Sequence, residues 1–294
     1  MTPSRVREET IPMKIGILPY EHVLTGRLCD VPASDLNWPL GEPGVSGTVG
    51  DLSRDDHLML YPRSKYFWDP RPGVRCRISM LIAEPFAVHK RNYLAAIALQ
   101  LRFHRIITHR PFMARWTRNA LVMPFGGAWV DVATGGQQDK NRHMSLIASS
   151  KTELEGHALR HEIAQWCTSN GKDVDLLGSA YKELERKEEG LSSYRYSIVI
   201  ENSREEGYFT EKLIDCMICR TLPIYWGAPD IERHFDPDGM IICRSADEIR
   251  SAIAAATPEL YEAKRASIEA NRDIALRYVD YEANAANALL RENT

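Results

Sequence analysis

Two places in this chain hold residues whose types and spacing suit chemistry. The first is Glu84, in Leu81-Ile82-Ala83-Glu84-Pro85-Phe86-Ala87-Val88-His89. Arg77 to Ala83 reads as an apolar strand, and a carboxylate at the end of such a strand can face a cleft. There it could act as a general base, taking the proton of an attacking hydroxyl. The second is Thr210-Glu211-Lys212. Thr210 can cap the helix that follows, with Glu211 in its first turn and Leu213, Ile214, Met217 and Ile218 on one apolar stripe. A lysine beside the free N–H groups of a helix start makes a site for a phosphate. Plainer readings exist: Glu84 as a solvated or capping residue, and Arg160, another cation near a helix start, as a surface residue paired with Glu155 or Glu162.

The elements around these residues alternate strand and helix. Met13 to Leu18, His57 to Tyr61, Arg77 to Ala83, Arg105 to Thr108 and Ala120 to Met123 read as strands of a first half, with Tyr93 to Leu101 helical. Val31 to Asp56 is crowded with Pro, Gly and Asp and reads as a long loop. Gly126-Gly127 and Gly135-Gly136-Gln137-Gln138 mark the junction. The second half opens at Arg142 with a strand. A helix over Gly156 to Cys167, a strand over Val174 to Leu177 and a charged exposed helix over Lys182 to Gly190 follow. Tyr194 to Ile200 is a buried strand, and Pro223 opens another apolar run, closed by Gly227. Met240 to Cys243 is a last strand, and Ala246 to Ala255 and Pro258 to Val279 are helical.

Composition limits the partners. The 294 residues can hold two α/β domains, and 44% hydrophobic with 26% charged residues describes a soluble globular protein. A formal charge of −3 gives no electrostatic case for nucleic acid or for an anionic membrane. No apolar run reaches the ~20 residues that span a bilayer, and the charged start MTPSRVREETIPMK lacks the apolar core of a secretory signal. The six scattered cysteines imply a reducing, cytoplasmic compartment. Cys216 and Cys219 form a CxxC inside the expected helix, where burial as small apolar residues is the simpler reading. The Asp-x-Asp runs at Asp173 to Asp175 and Asp236 to Asp238 bring no visible oxygen-ligand cluster for a hard cation, so no metal site is expected. His157 and His161, four apart, lack the order of a zinc protease.

Three runs together carry a family resemblance: Glu201-Asn202-Ser203, Tyr208-Phe209-Thr210-Glu211-Lys212 and Leu222-Pro223-Ile224-Tyr225-Trp226-Gly227. They resemble the donor-binding pattern of α-1,3/4-fucosyltransferases, family 10 of the glycosyltransferases, in the form of its soluble bacterial or phage members. The resemblance is strong from about Met144 to Met240 and weak but collinear from Arg77 to Trp129. It is absent from the first ~70 residues, whose loop-rich character suggests acceptor-specific elements.

The resemblance implies an α/β protein of GT-B architecture, two Rossmann-like domains with a cleft between them. It implies metal-independent, inverting transfer of fucose from GDP-fucose to a glycan hydroxyl, without a cofactor. Glu84 would be the base, although the family's spacing before the proline is one residue longer. Arg160 and Lys212 would neutralise the diphosphate. Asn202 would serve ribose and phosphate, Glu211 would accept bonds from ribose hydroxyls, and Tyr208 would offer the nucleotide a flat face. The Arg204 to Gly207 loop argues that Tyr208 is exposed. The expected boundaries are residues 1–138 for the acceptor side, 139–280 for the nucleotide-sugar side, and 281–294 for a helix returning to the first domain. Two rivals remain: a GT-B enzyme with another nucleotide-sugar donor, and a non-catalytic module binding nucleotide sugar or glycan.

Overall fold

In the first half, five short strands pair in parallel in the order of the chain: β1 (Ile15–Leu18), β2 (His57–Leu60), β3 (Arg77–Ile82), β4 (Ile106–Thr108) and β5 (Ala120–Val122). The structure is a computed structural model describing residues 13–41, 43–136 and 138–292. Most of the charged N-terminal segment, Gln137 of the expected junction, and residues 293 and 294 of the expected last helix lie outside the described residues. Right-handed crossovers between strands that add in sequence all fall on one face. That face carries α1 (Ser64–Trp68), α2 (Phe86–Ala98) and α3 (Phe112–Trp116). Phe67, Tyr93, Ala96 and Met113 from these helices pack on Leu58, Leu60, Ile78, Met80 and Ile106.

The strands' other side, with Ile15, Ile17, Met59, Tyr61, Leu81 and Ile107, has no crossover helix of its own. The C-terminal helix Tyr281–Arg291 covers it with Ala285, Ala286 and Leu289. The Tyr61 hydroxyl fixes the docking, 2.6 Å from Glu282 Oε1 and 2.7 Å from the Tyr281 hydroxyl.

The second half holds β6 (Arg142–Ile147), β7 (Asp175–Leu177), β8 (Tyr194–Ile200), β9 (Leu222–Trp226) and β10 (Ile241–Ile242), all parallel, in the spatial order β7-β6-β8-β9-β10. Around it lie α4 (Glu155–Ser169), α5 (Glu211–Ile218), α6 (Ala246–Ala255), α7 (Pro258–Ala263), α8 (Arg265–Ala275) and the C-terminal helix, α9. Ile163 and Cys167 of α4 and Ile249 and Ile253 of α6 pack on one face of this sheet. Leu213, Ile214, Met217 and Ile218 of α5 pack on the other. Each of those α5 side chains is essentially fully buried, contributing roughly 1.5–3 kcal/mol by removal from water. Winding reverses between β6 and β8, and such a switch point opens a crevice at the carboxyl ends of the strands.

Several elements differ from the sequence reading. Lys182 to Gly190 is not a helix but a turn followed by a single 3-10 turn over Lys187–Gly190. Apart from Leu184 its first eight residues are charged or polar, so no apolar stripe pays the nucleation cost. The helix expected from Tyr93 starts at Phe86, directly after Pro85, and is kinked at His89 (φ −109°, ψ 25°). The expected helix Pro258 to Val279 breaks at Lys264. Val31 to Asp56 contains single 3-10 turns yet is well packed, with Val31, Ala33, Leu36, Val49 and Leu52 buried. All six cysteines are free and buried.

Candidate functional site

A cleft of about 520 Å³ lies between the two sheets, and all six candidate residues line it: Glu84 from the first half, and Arg160, Asn202, Tyr208, Glu211 and Lys212 from the second. The second-half residues gather at the ends of β6 and β8, the switch point identified above. A glycine makes this possible. A Cβ at Gly156 would stand 1.7 Å from the carbonyl oxygen of Glu201, and the Gly156 N–H donates to Asn202 O at 3.2 Å. Only glycine lets the first turn of α4 press against the end of β8, which brings Arg160 one turn later to the same point.

Arg160 is not a surface residue paired along its helix. It is buried, its Nε donates to Ile200 O at 2.9 Å and its Nη2 to Asn202 Oδ1 at 2.6 Å. Two of five guanidinium N–H groups are thereby committed and three remain for an anion. Burial lowers its pKa from the ordinary arginine value, with Glu201 the chief opposing charge. Glu162, the partner considered from sequence, pairs with Arg250 on α6 instead.

At the start of α5 three charges interlock. Lys212 Nζ lies 2.9 Å from Glu211 Oε1, 3.1 Å from Thr210 Oγ1 and 3.8 Å from Glu201 Oε2. Glu201 is fully buried and accepts the Thr210 N–H and hydroxyl, each at 2.8 Å. Burial pushes the Glu201 carboxyl up. Glu211 feels the same upward push, but Lys212 and Lys187 outweigh it and hold the carboxyl below its usual range. Burial would lower Lys212, and Glu211 and Glu201 reverse this, so the ammonium stays charged. Lys212 is thus oriented before any ligand arrives. Thr210 caps α5 as expected, accepting the Lys212 N–H at 3.4 Å.

Tyr208 departs from the reading in one respect: it is buried, 4% exposed, although its neighbours in the loop are charged. Its ring lies against the His109 ring at 5.2 Å, across the domain boundary, which removes it from solvent while leaving it on the cleft wall.

Glu84 is exposed at the cleft, and its main chain is held from two directions. The Tyr93 hydroxyl donates to Glu84 O at 3.0 Å. Two residues on, the Phe86 N–H is 3.0 and 3.2 Å from the two oxygens of Glu205. Glu205 belongs to the second half and also takes an ion pair from Arg110 and sits 3.4 Å from His109 Nε2. Its burial raises the carboxyl pKa, but His109, the Phe86 N–H and Arg110 more than offset this and hold it low. Gly207 (φ +67°) completes the seam, since a Cβ there would lie 2.8 Å from His109 O. Sequence reasoning missed Glu205, because its partners are about a hundred residues away.

Lys187, which the sequence pattern puts on an exposed helix, also belongs to the site. It lines the cleft, pairs with the buried Asp215 at 2.7 Å and lies 4.5 Å from the centre of the exposed Trp129 ring. Lys151, after β6, adds a further cation to the wall. Neither Asp-x-Asp run reaches the cleft. Asp175 pairs with Arg142 at 2.7 Å, and Asp236 caps its own turn by accepting the Asp238 N–H at 2.9 Å. His161 is turned to Tyr181 and Lys151 O.

Residues 137–256 match the model of the glycosyltransferase family 10 (fucosyltransferase) C-terminal domain. An alpha-(1,3)-fucosyltransferase of Helicobacter pylori is 40% identical over 74 residues, which are 25% of this chain and only 15% of that protein's length. Among solved structures, an alpha1,3-fucosyltransferase aligns with TM-score 0.50 and 17% identity over 72% of this chain and 70% of its own. Staphylococcus aureus TarM aligns with TM-score 0.56 and 13% identity over 81% of this chain and 55% of its own. The two parallel sheets with a cleft between them are the GT-B fold, and the half that carries the interlocked cations is the part of the chain similar to the C-terminal domain of the family 10 glycosyltransferases.

Proposed function

We propose that this chain transfers fucose from GDP-fucose to a hydroxyl of a glycan acceptor, inverting the anomeric carbon and using no metal. One observation carries the reading. A single cleft faces an exposed carboxylate from one domain, Glu84, with cations from the other that are already oriented, Arg160 and Lys212.

The chemistry follows from that opposition. Glu84 takes the proton of the acceptor hydroxyl as its oxygen bonds to the sugar's anomeric carbon. The bond from that carbon to the diphosphate oxygen breaks on the other side, so configuration inverts, and GDP leaves as an anion. Arg160, through its three uncommitted N–H groups, and Lys212 neutralise the developing charge. The free N–H groups at the start of α5 add to them. These groups answer the diphosphate's charge without a divalent ion. In this reading Glu211 and Asn202 partner the ribose hydroxyls, and Tyr208 walls the nucleotide site. The acceptor glycan, on protein or polysaccharide, would enter from the first domain. Six free thiols suit a reducing, cytoplasmic setting; among the described residues no helix is long and apolar enough to cross a membrane.

Donor hydrolysis by the purified chain, compared across GDP-fucose, other GDP-sugars and UDP-sugars, tests this. Turnover of GDP-fucose well above the others is expected. Turnover of a different donor would assign the cleft to another glycosyltransferase, and binding without any turnover would make it a recognition module.

A further inference from the structure

The whole-chain charge of −3 conceals a strong segregation. Residues 63–118, which run from α1 to α3 with β3 and β4 between them, hold twelve Lys and Arg against two acids, Asp69 and Glu84, a net +10, and only Arg77, Arg105 and Arg110 of the twelve pair with an acid elsewhere among the described residues. Neither acid balances the outer surface: Asp69 is turned to the Arg71 N–H at 2.9 Å, and Glu84 lies in the cleft. The three helices share one face of the first sheet, so their outer sides form one layer. On it Lys90, Arg91, Arg115 and Arg118 are exposed and make no ion pair among the described residues.

The same layer exposes large apolar side chains. Leu101 is 94% exposed, Trp68 69%, Trp116 59% and Leu94 53%. Side-chain bonds to main-chain carbonyls bring them together. Gln100 and Arg102, flanking Leu101, bond to Trp116 O and Asp69 O, so the ends of α1, α2 and α3 meet around Leu101. Past the kink of α2, Arg91, Leu94 and Ala98 follow at three- and four-residue steps on its exposed side, and Leu101 stands exposed in the 3-10 turn just beyond. A monomeric surface that gathers tryptophans, leucines and unpaired cations on one side marks an interaction site.

We propose that this layer docks the protein onto the surface of an anionic phospholipid bilayer. The unpaired cations meet the negative headgroups, and Trp68, Trp116, Leu94 and Leu101 enter the boundary between headgroups and acyl chains. A soluble polyanion would satisfy the cations alone and leave Leu101 in water, and the apolar half of the layer therefore favours lipid. Docking through this layer leaves the cleft, at the opposite ends of these helices, open to the donor.

Flotation of the whole chain with phosphatidylcholine vesicles, with and without phosphatidylglycerol, is the test. Binding is expected only with the anionic lipid, weakening as salt rises. Each neutralised cation should weaken partitioning about fivefold, so Arg91→Gln with Arg115→Gln loses about 25-fold. Trp116→Ser with Leu101→Ser should also lose most of the binding, and unchanged melting temperatures of these exposed variants would confirm intact folds. The proposal is overturned by no flotation, by equal partition into both vesicles, or by basic variants that float like the parent. It is also overturned if heparin displaces the vesicles and the apolar pair of substitutions has no effect, since the layer would then be a polyanion site.

Discussion

Replacing Glu205 by glutamine should separate catalysis from donor binding without touching either ligand. Its carboxylate reaches from the second domain to the Phe86 N–H, to Arg110 and to His109, and so holds the main chain two residues beyond Glu84. The amide can still accept from Phe86, but it loses the charge that Arg110 and His109 meet. One charge-assisted bond of this kind contributes about 1.5–3 kcal/mol, so a loss near 2 kcal/mol and a drop of several degrees in melting temperature are expected. A displacement of the order of an ångström at the base costs roughly 10²-fold in rate, so kcat should fall about 10- to 100-fold. The affinity for GDP, which we propose Arg160, Lys212 and Glu211 set, should stay within about twofold. The carboxyl is held low in the folded state, so its contribution is present above the unfolded value near 4.3 and vanishes as pH falls through the folded value. Calorimetry with GDP, beside steady-state transfer kinetics on parent and variant, reads both quantities. An unchanged kcat would refute the claim that this clasp positions Glu84, and an equal loss of GDP affinity would place Glu205 on the donor side.

Three further outcomes are expected. Arg160→Lys should weaken GDP binding by about 1.5–3 kcal/mol, roughly 10- to 150-fold, because an ammonium cannot bond Ile200 O and Asn202 while serving a phosphate; Lys212→Ala should do the same, and calorimetry with unchanged affinity would remove either residue from the site. Transfer should persist in excess EDTA, whereas complete loss restored by manganese would show that the diphosphate needs a divalent ion. Burial pushes His57 down to about 4 from 6.5, so the stability it permits above pH 6.5 is lost as pH falls from there toward 4, by at most about 3 kcal/mol and less for residual solvent screening; His57→Gln should flatten the pH profile of the melting temperature over that window, and a profile like the parent's would count against it.

How far the sequence could be read depended on the range of the interactions. The β8–α5–β9 unit was legible because everything that places Lys212 lies within eleven residues: Glu201, the Thr210 cap and Glu211. Apolar runs and their order likewise marked both sheets. Arg160 was placed on its helix, but its commitment to Ile200 O and Asn202 depends on how closely α4 approaches β8, which Gly156 permits and no local pattern announces. The burial of Tyr208 escaped notice for a related reason, since its cover, His109, comes from the other domain. Lys182 to Gly190 reads as a helix from its charge-rich helix formers, which have good propensity yet nothing to bury. The layer of α1 to α3 was hidden by averaging: a net charge says nothing of segregation until the strand order places three helices on one face.

Glu84 is the central residue of the proposed mechanism, and its most direct test is Glu84→Gln, with GDP-fucose affinity and transfer rate measured on the same preparation. The amide keeps size and hydrogen bonding but cannot take the acceptor's proton near neutral pH. Donor affinity should be nearly unchanged, because the residues proposed to hold the nucleotide belong to the second domain. Transfer should slow by roughly 10²–10⁴-fold, the usual worth of a positioned general base. Full activity in the glutamine variant would contradict the mechanism at its central residue, and a parallel fall in affinity and rate would make Glu84 structural.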